Sequence, residues 1–300
     1  MDDNLHIILN QNLDTLHPEI KQQALTSLES GKVVYLPDHF FSMQPNELGL
    51  LTESILDPKH KNISYDYRRQ RVAGLIKADL QPSVSTTMQQ FMHRYAEFSK
   101  QLLDTLIPQY STALVWGRTS YRPAEIKGRI SSKRKDDTRV HVDSFSATPV
   151  NGLRILRVFC NINPNGEPRV WHLGESFSNV LKTLSPRIPS YSAIRAKILK
   201  LIKATKTLRT PYDHYMLGLH DTMKLDDKYQ QTLTKRRVEF PPHSTWLVFT
   251  DHVSHAALSG QFLLEQTFYL PVNAMANPDL SPLKQWEREK TCVMVDTPDT

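Results

Sequence analysis

A histidine and an aspartate alternate in Thr138-Arg139-Val140-His141-Val142-Asp143-Ser144. In an extended strand, side chains two residues apart leave the same face, so 141 and 143 would project together about 6–7 Å apart. An imidazole nitrogen and a carboxylate oxygen placed this way suit a divalent metal. Two histidines and one carboxylate on one face of an octahedron are the ligand set of non-haem Fe(II) oxygenases, with three positions left for cosubstrate and oxygen. With twelve histidines in 300 residues, roughly one such pair arises by chance, so the spacing is weak alone. Context strengthens it. The apolar run Thr245 to Phe249 leads into Thr250-Asp251-His252-Val253-Ser254-His255-Ala256, where a third ligand is expected. His255 is preferred, because Ala256 to Gly260 reads as a loop before a last strand, Phe262 to Leu270; His252 is the alternative. The catalytic set and the metal set then coincide in His141, Asp143 and His255.

Oxygenases of this type hold the far carboxylate of 2-oxoglutarate with a basic side chain, and a two-pronged arginine fits best. No Arg or Lys lies between His255 and Lys284, so the last strand does not supply it. Leu153-Arg154-Ile155-Leu156-Arg157-Val158-Phe159 places two arginines in an apolar strand, where an unpaired cation is costly. Their odd spacing sends them to opposite faces. Arg157 is the preferred anchor, Arg122 in Ser120-Tyr121-Arg122-Pro123 is a second candidate, and Trp171 is expected to wall the cosubstrate pocket. His6, His17, His39, His60, His93, His172, His214, His220 and His243 lack ligand spacing and read as solvated or structural residues. No serine sits in a GxSxG elbow, and Cys160 and Cys292 have neither disulfide nor metal spacing, so both read as reduced thiols.

Several elements must position these groups. Pro18 to Ser30 reads as a helix stopped by Gly31, followed by a short strand, Val33 to Leu36. From Pro82, the residues Met88, Phe91, Met92, Tyr95, Phe98, Leu102, Leu103 and Leu106 recur at helical spacing, predicting a long core-facing helix that Pro108 ends. Thr138 to Ser144, Leu153 to Ile162, Arg169 to Leu173, Thr245 to Thr250 and Phe262 to Leu270 read as strands. Tyr191 to Lys206 reads as a basic amphipathic helix. Its cations suit the solvated face of a packed helix, and docking at an anionic surface is the rarer use of such a pattern. The fold class expected is α+β: a double-stranded β-helix, or jelly roll, with flanking helices and an N-terminal α/β elaboration. One dioxygenase domain spans 1–300, with the elaboration at 1–115, the jelly-roll core at 116–275 carrying a basic helical insert at about 175–236, and a tail at 276–300.

A net charge of +6 favours anionic partners. It gathers in two clusters: Lys127, Arg129, Lys133, Arg134, Lys135 and Arg139 just before the HxD pair, and Arg195, Lys197, Lys200, Lys203, Lys206 and Arg209. No stretch reaches the roughly 18 apolar residues of a membrane span. Met1-Asp2-Asp3-Asn4 is acidic where a secretory signal is basic, and the expected location is cytoplasmic.

The stretch from Lys133 to Phe177, with Arg-Lys-Asp-Asp-Thr-Arg-Val-His-Val-Asp, Leu-Arg-Ile-Leu-Arg-Val-Phe and Asn-Ile-Asn-Pro-Asn-Gly-Glu-Pro-Arg-Val-Trp, resembles the bacterial Kdo 3-hydroxylases. Gly31-Lys32-Val33-Val34-Tyr35-Leu36-Pro37 and Asp251-His252-Val253-Ser254-His255-Ala256 with Gly260-Gln261 are similar to that family too. The resemblance implies Fe(II), 2-oxoglutarate and O2 as cofactor and cosubstrates, with His141, Asp143 and His255 on iron and Arg157, Arg122 and Trp171 around 2-oxoglutarate. It implies hydroxylation at C3 of 3-deoxy-D-manno-oct-2-ulosonic acid (Kdo) in the lipopolysaccharide inner core, giving D-glycero-D-talo-oct-2-ulosonic acid (Ko). The partner implied is an anionic glycolipid, a Kdo-containing lipid A precursor, and not nucleic acid, met by peripheral contact with the inner membrane. Lys133, Arg134 and Arg139 are then candidate substrate contacts. The rival expectations are a 2-oxoglutarate hydroxylase of a protein or small metabolite, and a cupin-like barrel that binds an anionic sugar without catalysis.

Overall fold

The apolar runs of the second half become strands of two facing sheets in a computed structural model that describes residues 4–9, 13–76 and 82–295. The acidic start, Met1–Asp3, lies outside the described residues. The larger sheet holds β1 (Leu5–Ile7), β2 (Val33–Leu36), β3 (Ile63–Asp66), β4 (Arg71–Ala73), β5 (Val115–Arg122), β6 (Arg154–Asn161), β9 (Ser244–Phe249) and β11 (Leu263–Leu270), with β7 (Arg169–Leu173), β8 (Arg236–Phe240) and β10 (His255–Ser259) in the smaller one. Strand order is β1-β2-β9-β6-β11-β5-β3-β4 in the first and β10-β7-β8 in the second. Neighbours run antiparallel except β1 on β2. This is the jelly-roll architecture expected, as two facing sheets and not a closed barrel.

Both faces of the central strands are covered, which is why they read as almost unbroken apolar runs. On β6 and β9, Leu156, Val158, Leu247 and Phe249 face the helices, while Phe159, Trp246 and Val248 face the smaller sheet. There the rings of Phe240 and Trp246 stack 4.0 Å apart, and Phe159 meets Trp171 edge-on. The outer face is covered by α1 (Pro18–Glu29), α2 (Pro82–Leu106), α3 (Phe177–Leu184), α5 (Pro211–Leu225) and α7 (Pro282–Lys290). The apolar stripe of α2 is buried as its spacing predicts, and α1 ends where Gly31 adopts φ +84°.

Four expectations change. Thr138 to Ser144 is not a full strand: only His141 forms a bridge. Its other neighbour is the side chain of Gln230 in α6 (Asp227–Thr232), which accepts from Val140 N–H at 2.9 Å and donates to its carbonyl at 2.8 Å, doing the work of a second strand. Ala256 to Ser259, expected as a loop, is paired in β10 with β7. The basic helix is shorter, α4 (Ala193–Leu201), and its aliphatic side faces outward. The 276–300 segment contributes α7, whose Trp286 is fully buried and donates to Met216 Sδ. The first 115 residues supply both edges of the larger sheet.

Candidate metal centre

His141 and His255 exchange both backbone hydrogen bonds, at 2.9 and 2.8 Å. Residues paired in this way project from the same face of an antiparallel ladder, so their imidazoles converge, with ring centroids 4.8 Å apart. Asp143 lies two residues along, its N–H held by Thr250 O at 2.8 Å, and its Oδ1 is 3.6 Å from His141 Nε2. One ligand atom from each of the three residues lies within 4.8 Å of the others. Each histidine donates its Nδ1–H to a carbonyl two residues back, His141 to Arg139 at 2.8 Å and His255 to Val253 at 2.9 Å. This fixes the tautomer that leaves Nε2 free for a metal.

Burial pulls His141 down to about 4, against the opposing pull of Asp143, and lowers His255 too, so both imidazoles are neutral. Burial alone would raise Asp143, but the Arg157 guanidinium and the His141 contact outweigh it and hold the carboxyl well below the usual range. Two neutral imidazoles and a carboxylate are the protonation states a divalent cation requires. The residues present fit such an ion. His252 does not join them. It packs against Gly31, Phe177 and Gln285 on the helix-covered side.

Beside the triad lies a cavity of about 480 Å³, walled by Lys61, Arg122, Arg134, Lys135, Arg157, Arg169 and Lys224, with Asp137, Asp143 and Glu265 as the acids. Glu265, on β11 in place of a cation, accepts from Arg157 at 2.8 Å and from Arg122 at 2.9 and 3.2 Å. Arg157 also reaches Asp143 Oδ2 at 3.0 Å, close enough for an ion pair but not aligned as a hydrogen bond. Its two carboxylate neighbours make Arg157 a less available anchor than the sequence suggests. Arg169 is different. It is buried and, among the described residues, hydrogen-bonds only the Gly260 carbonyl at 2.7 Å and leaves Nε without a partner; it is pushed down to about 9 by burial and then by Arg122. Trp171 stacks on His255 at 5.0 Å with its Nε1–H also unpartnered. A buried cation beside two buried N–H donors that, among the described residues, have no acceptor fits a small carboxylate.

Arg122, Arg157 and Trp171 therefore share one wall, and Arg169, missed in the sequence, joins them. A signal for it existed: Arg169 and Trp171 alternate along strand β7 with the same i, i+2 spacing as His141 and Asp143. His220 was also passed over. It stands edge-on to His141, ring centroids 5.4 Å apart, with Nδ1 held by Asp221 at 3.0 Å, and it lines the cavity. Nothing local marks it, because α5 brings it in from about eighty residues away. Arg134 lies in the wall, but Lys133 and Arg139 do not; Asp227 holds both, at 2.6 and 2.7 Å.

The jelly roll and its two-histidine, one-carboxylate face define a non-haem Fe(II) dioxygenase. The model of the 3-deoxy-D-manno-oct-2-ulosonic acid (Kdo) hydroxylase family matches residues 11–291, and the chain belongs to that family. A crystal structure of the Kdo hydroxylase KdoO, a non-haem Fe(II) α-ketoglutarate-dependent dioxygenase, in complex with cobalt(II) is 42% identical, covers 99% of each chain and superposes with a TM-score of 0.94. The KdoO complex with α-ketoglutarate and Fe(III) is 42% identical over 98% of this chain and 100% of that one, with a TM-score of 0.92. The complex with succinate and Fe(III) is 41% identical over 99% of each, TM-score 0.93. A search of curated proteins gave no match.

Proposed function

We propose that this enzyme hydroxylates C3 of Kdo in a lipid-anchored lipopolysaccharide precursor, giving Ko, while 2-oxoglutarate and O2 become succinate and CO2. The observation that carries the reading is the convergence of His141, Asp143 and His255 within 4.8 Å beside an arginine-walled cavity. Family membership supports Kdo as the sugar, and the cofactors follow from the class and from the relatives crystallised with them. When bound, Fe(II) would activate O2, which takes two electrons from 2-oxoglutarate and two from the sugar's C–H bond so that C–H becomes C–OH.

The chain's own residues bind, orient and shield. Arg169 and Trp171, with Arg122 and Arg157, hold the diacid, and Glu265 keeps the last two guanidinium groups apart yet in place. Arg157 also orients Asp143. Lys61, Arg134, Lys135 and Lys224 receive the anionic groups of the glycolipid. His220, fixed through Nδ1 by Asp221, presents Nε2 as the cavity's non-ligand imidazole, able to hold or move a proton near the reacting carbon. Among the described residues no helix is long and apolar enough to cross a membrane, and the proposed place of action is the cytoplasmic face of the inner membrane, by peripheral contact. The test is mass spectrometry of a Kdo-lipid A acceptor after incubation with enzyme, Fe(II), 2-oxoglutarate and O2. One added oxygen located at C3 is expected, and an unchanged sugar with continued succinate release would overturn the substrate assignment.

A further inference from the structure

A helix on a globular surface normally turns its apolar stripe inward. Helix α4, capped by Ser192, does the reverse. Ala196 is its one buried residue, while Ile194, Leu201 and the following Ile202 are 74, 80 and 65% exposed and Ile198 is 51% exposed. At about 3.6 residues per turn, these four aliphatic side chains form one outward patch opposite Ala196. Arg195 and Lys197 flank it, and Lys200, Lys203 and Lys206 continue the positive charge. From Ser176 to Tyr212 there is no Asp or Glu, and among the described residues none of these five cations has a carboxylate partner. Single exposed aliphatic residues are ordinary, but a contiguous group of four marks a contact surface.

The patch is tied to the mouth of the site. Lys206 N–H donates to Ala147 O at 2.9 Å, and Arg209 donates to Ser146 O at 2.8 Å. Ser146 and Ala147 line the metal cavity, and Lys206 lines a second cavity that shares Arg122, Arg157 and Glu265 with it. An apolar ridge between cations matches the interface of an anionic bilayer, where aliphatic tips enter the acyl boundary and ammonium groups meet phosphates. A second copy fits worse, since a two-fold contact would set these unpaired cations against themselves.

We propose that α4 and the turn from Ile202 to Lys206 seat the enzyme on an anionic phospholipid surface, holding the cavity mouth at headgroup level. The identity of the acceptor rests on the proposed function; the docking surface is tested without it. Full-length protein is sedimented with phosphatidylethanolamine–phosphatidylglycerol vesicles and with phosphatidylcholine vesicles. The wild type is expected to bind the first at least tenfold more tightly than the second. Ile194→Ser/Ile198→Ser/Leu201→Ser, and separately Arg195→Glu/Lys197→Glu/Lys200→Glu, should each lose at least tenfold in partitioning while keeping the wild-type melting temperature. Wild type left in the supernatant, serine variants that sediment like wild type, or a self-association that the serine variants abolish would overturn the proposal. Vesicle binding through α4 by an enzyme that adds no oxygen to Kdo would uphold docking while removing the acceptor assignment.

Discussion

Arg169 carries the sharpest consequence of single-residue geometry, because its guanidinium is buried against one carbonyl and, among the described residues, hydrogen-bonds no carboxylate, although Asp137, Glu125 and Glu265 lie near enough to favour its charge. A hydrogen-bonded charge pair formed there contributes about 1.5–3 kcal/mol. Arg169→Ala is therefore expected to weaken 2-oxoglutarate binding by roughly 10–100-fold in calorimetry of the cobalt-loaded enzyme, and an unchanged affinity would assign the anchor to Arg122 or Arg157. His220→Ala should do something else: lower turnover by about 10²-fold with 2-oxoglutarate affinity retained. At this scale the sequence was legible where residues act within one strand. Spacing alone paired His141 with Asp143 and separated Arg154 from Arg157. The contributions of Glu265 and His220 were hidden because their meaning depends on strands and helices far away in the chain.

Strand β6 shows how an element sorts two like charges. Arg157 points to the cavity, whereas Arg154 points to the helices, where Asp251 accepts from it at 2.7 Å and Phe249 lies 3.8 Å below its guanidinium. Both members of that ion pair are almost fully buried. Removing one partner strands the other in an apolar setting, so Asp251→Ala is expected to destabilise by about 3–5 kcal/mol, a fall of roughly 5–15 °C in melting temperature. Arg154→Met/Asp251→Leu should recover most of that loss; a single variant as stable as wild type would contradict this account of the pair. Elements with their own signal, such as β2, β7 and α2, could be read from periodicity and from Gly31 or Pro108. The His141 segment falls short of the full strand that its alternation predicts, because on one side its neighbour is a glutamine side chain instead of a strand. Strand β10 was missed because its order comes from pairing with β7, and the outward turn of α4 was missed because a helical period defines a face without saying where it points.

At the scale of the whole molecule, charge and architecture serve one opening. The cavity wall sets seven Lys and Arg side chains against three carboxylates, which raises the local concentration of an anionic acceptor and weakens as salt screens it. Raising NaCl from about 0.05 to 0.5 M is expected to raise KM for a Kdo glycolipid severalfold with kcat nearly unchanged, and a salt-independent KM would remove electrostatic capture. The N-terminal segment was expected as an elaboration, and it completes both edges of the sheet that carries Arg122, Arg157 and Glu265. The most direct measurement of the central claim is anaerobic titration of the apoenzyme with Fe(II) and 2-oxoglutarate, read as a weak visible charge-transfer band. The band should form in wild type and in His252→Ala and vanish in His141→Ala and His255→Ala; its persistence in His255→Ala, or its loss in His252→Ala with the fold intact, would contradict the account.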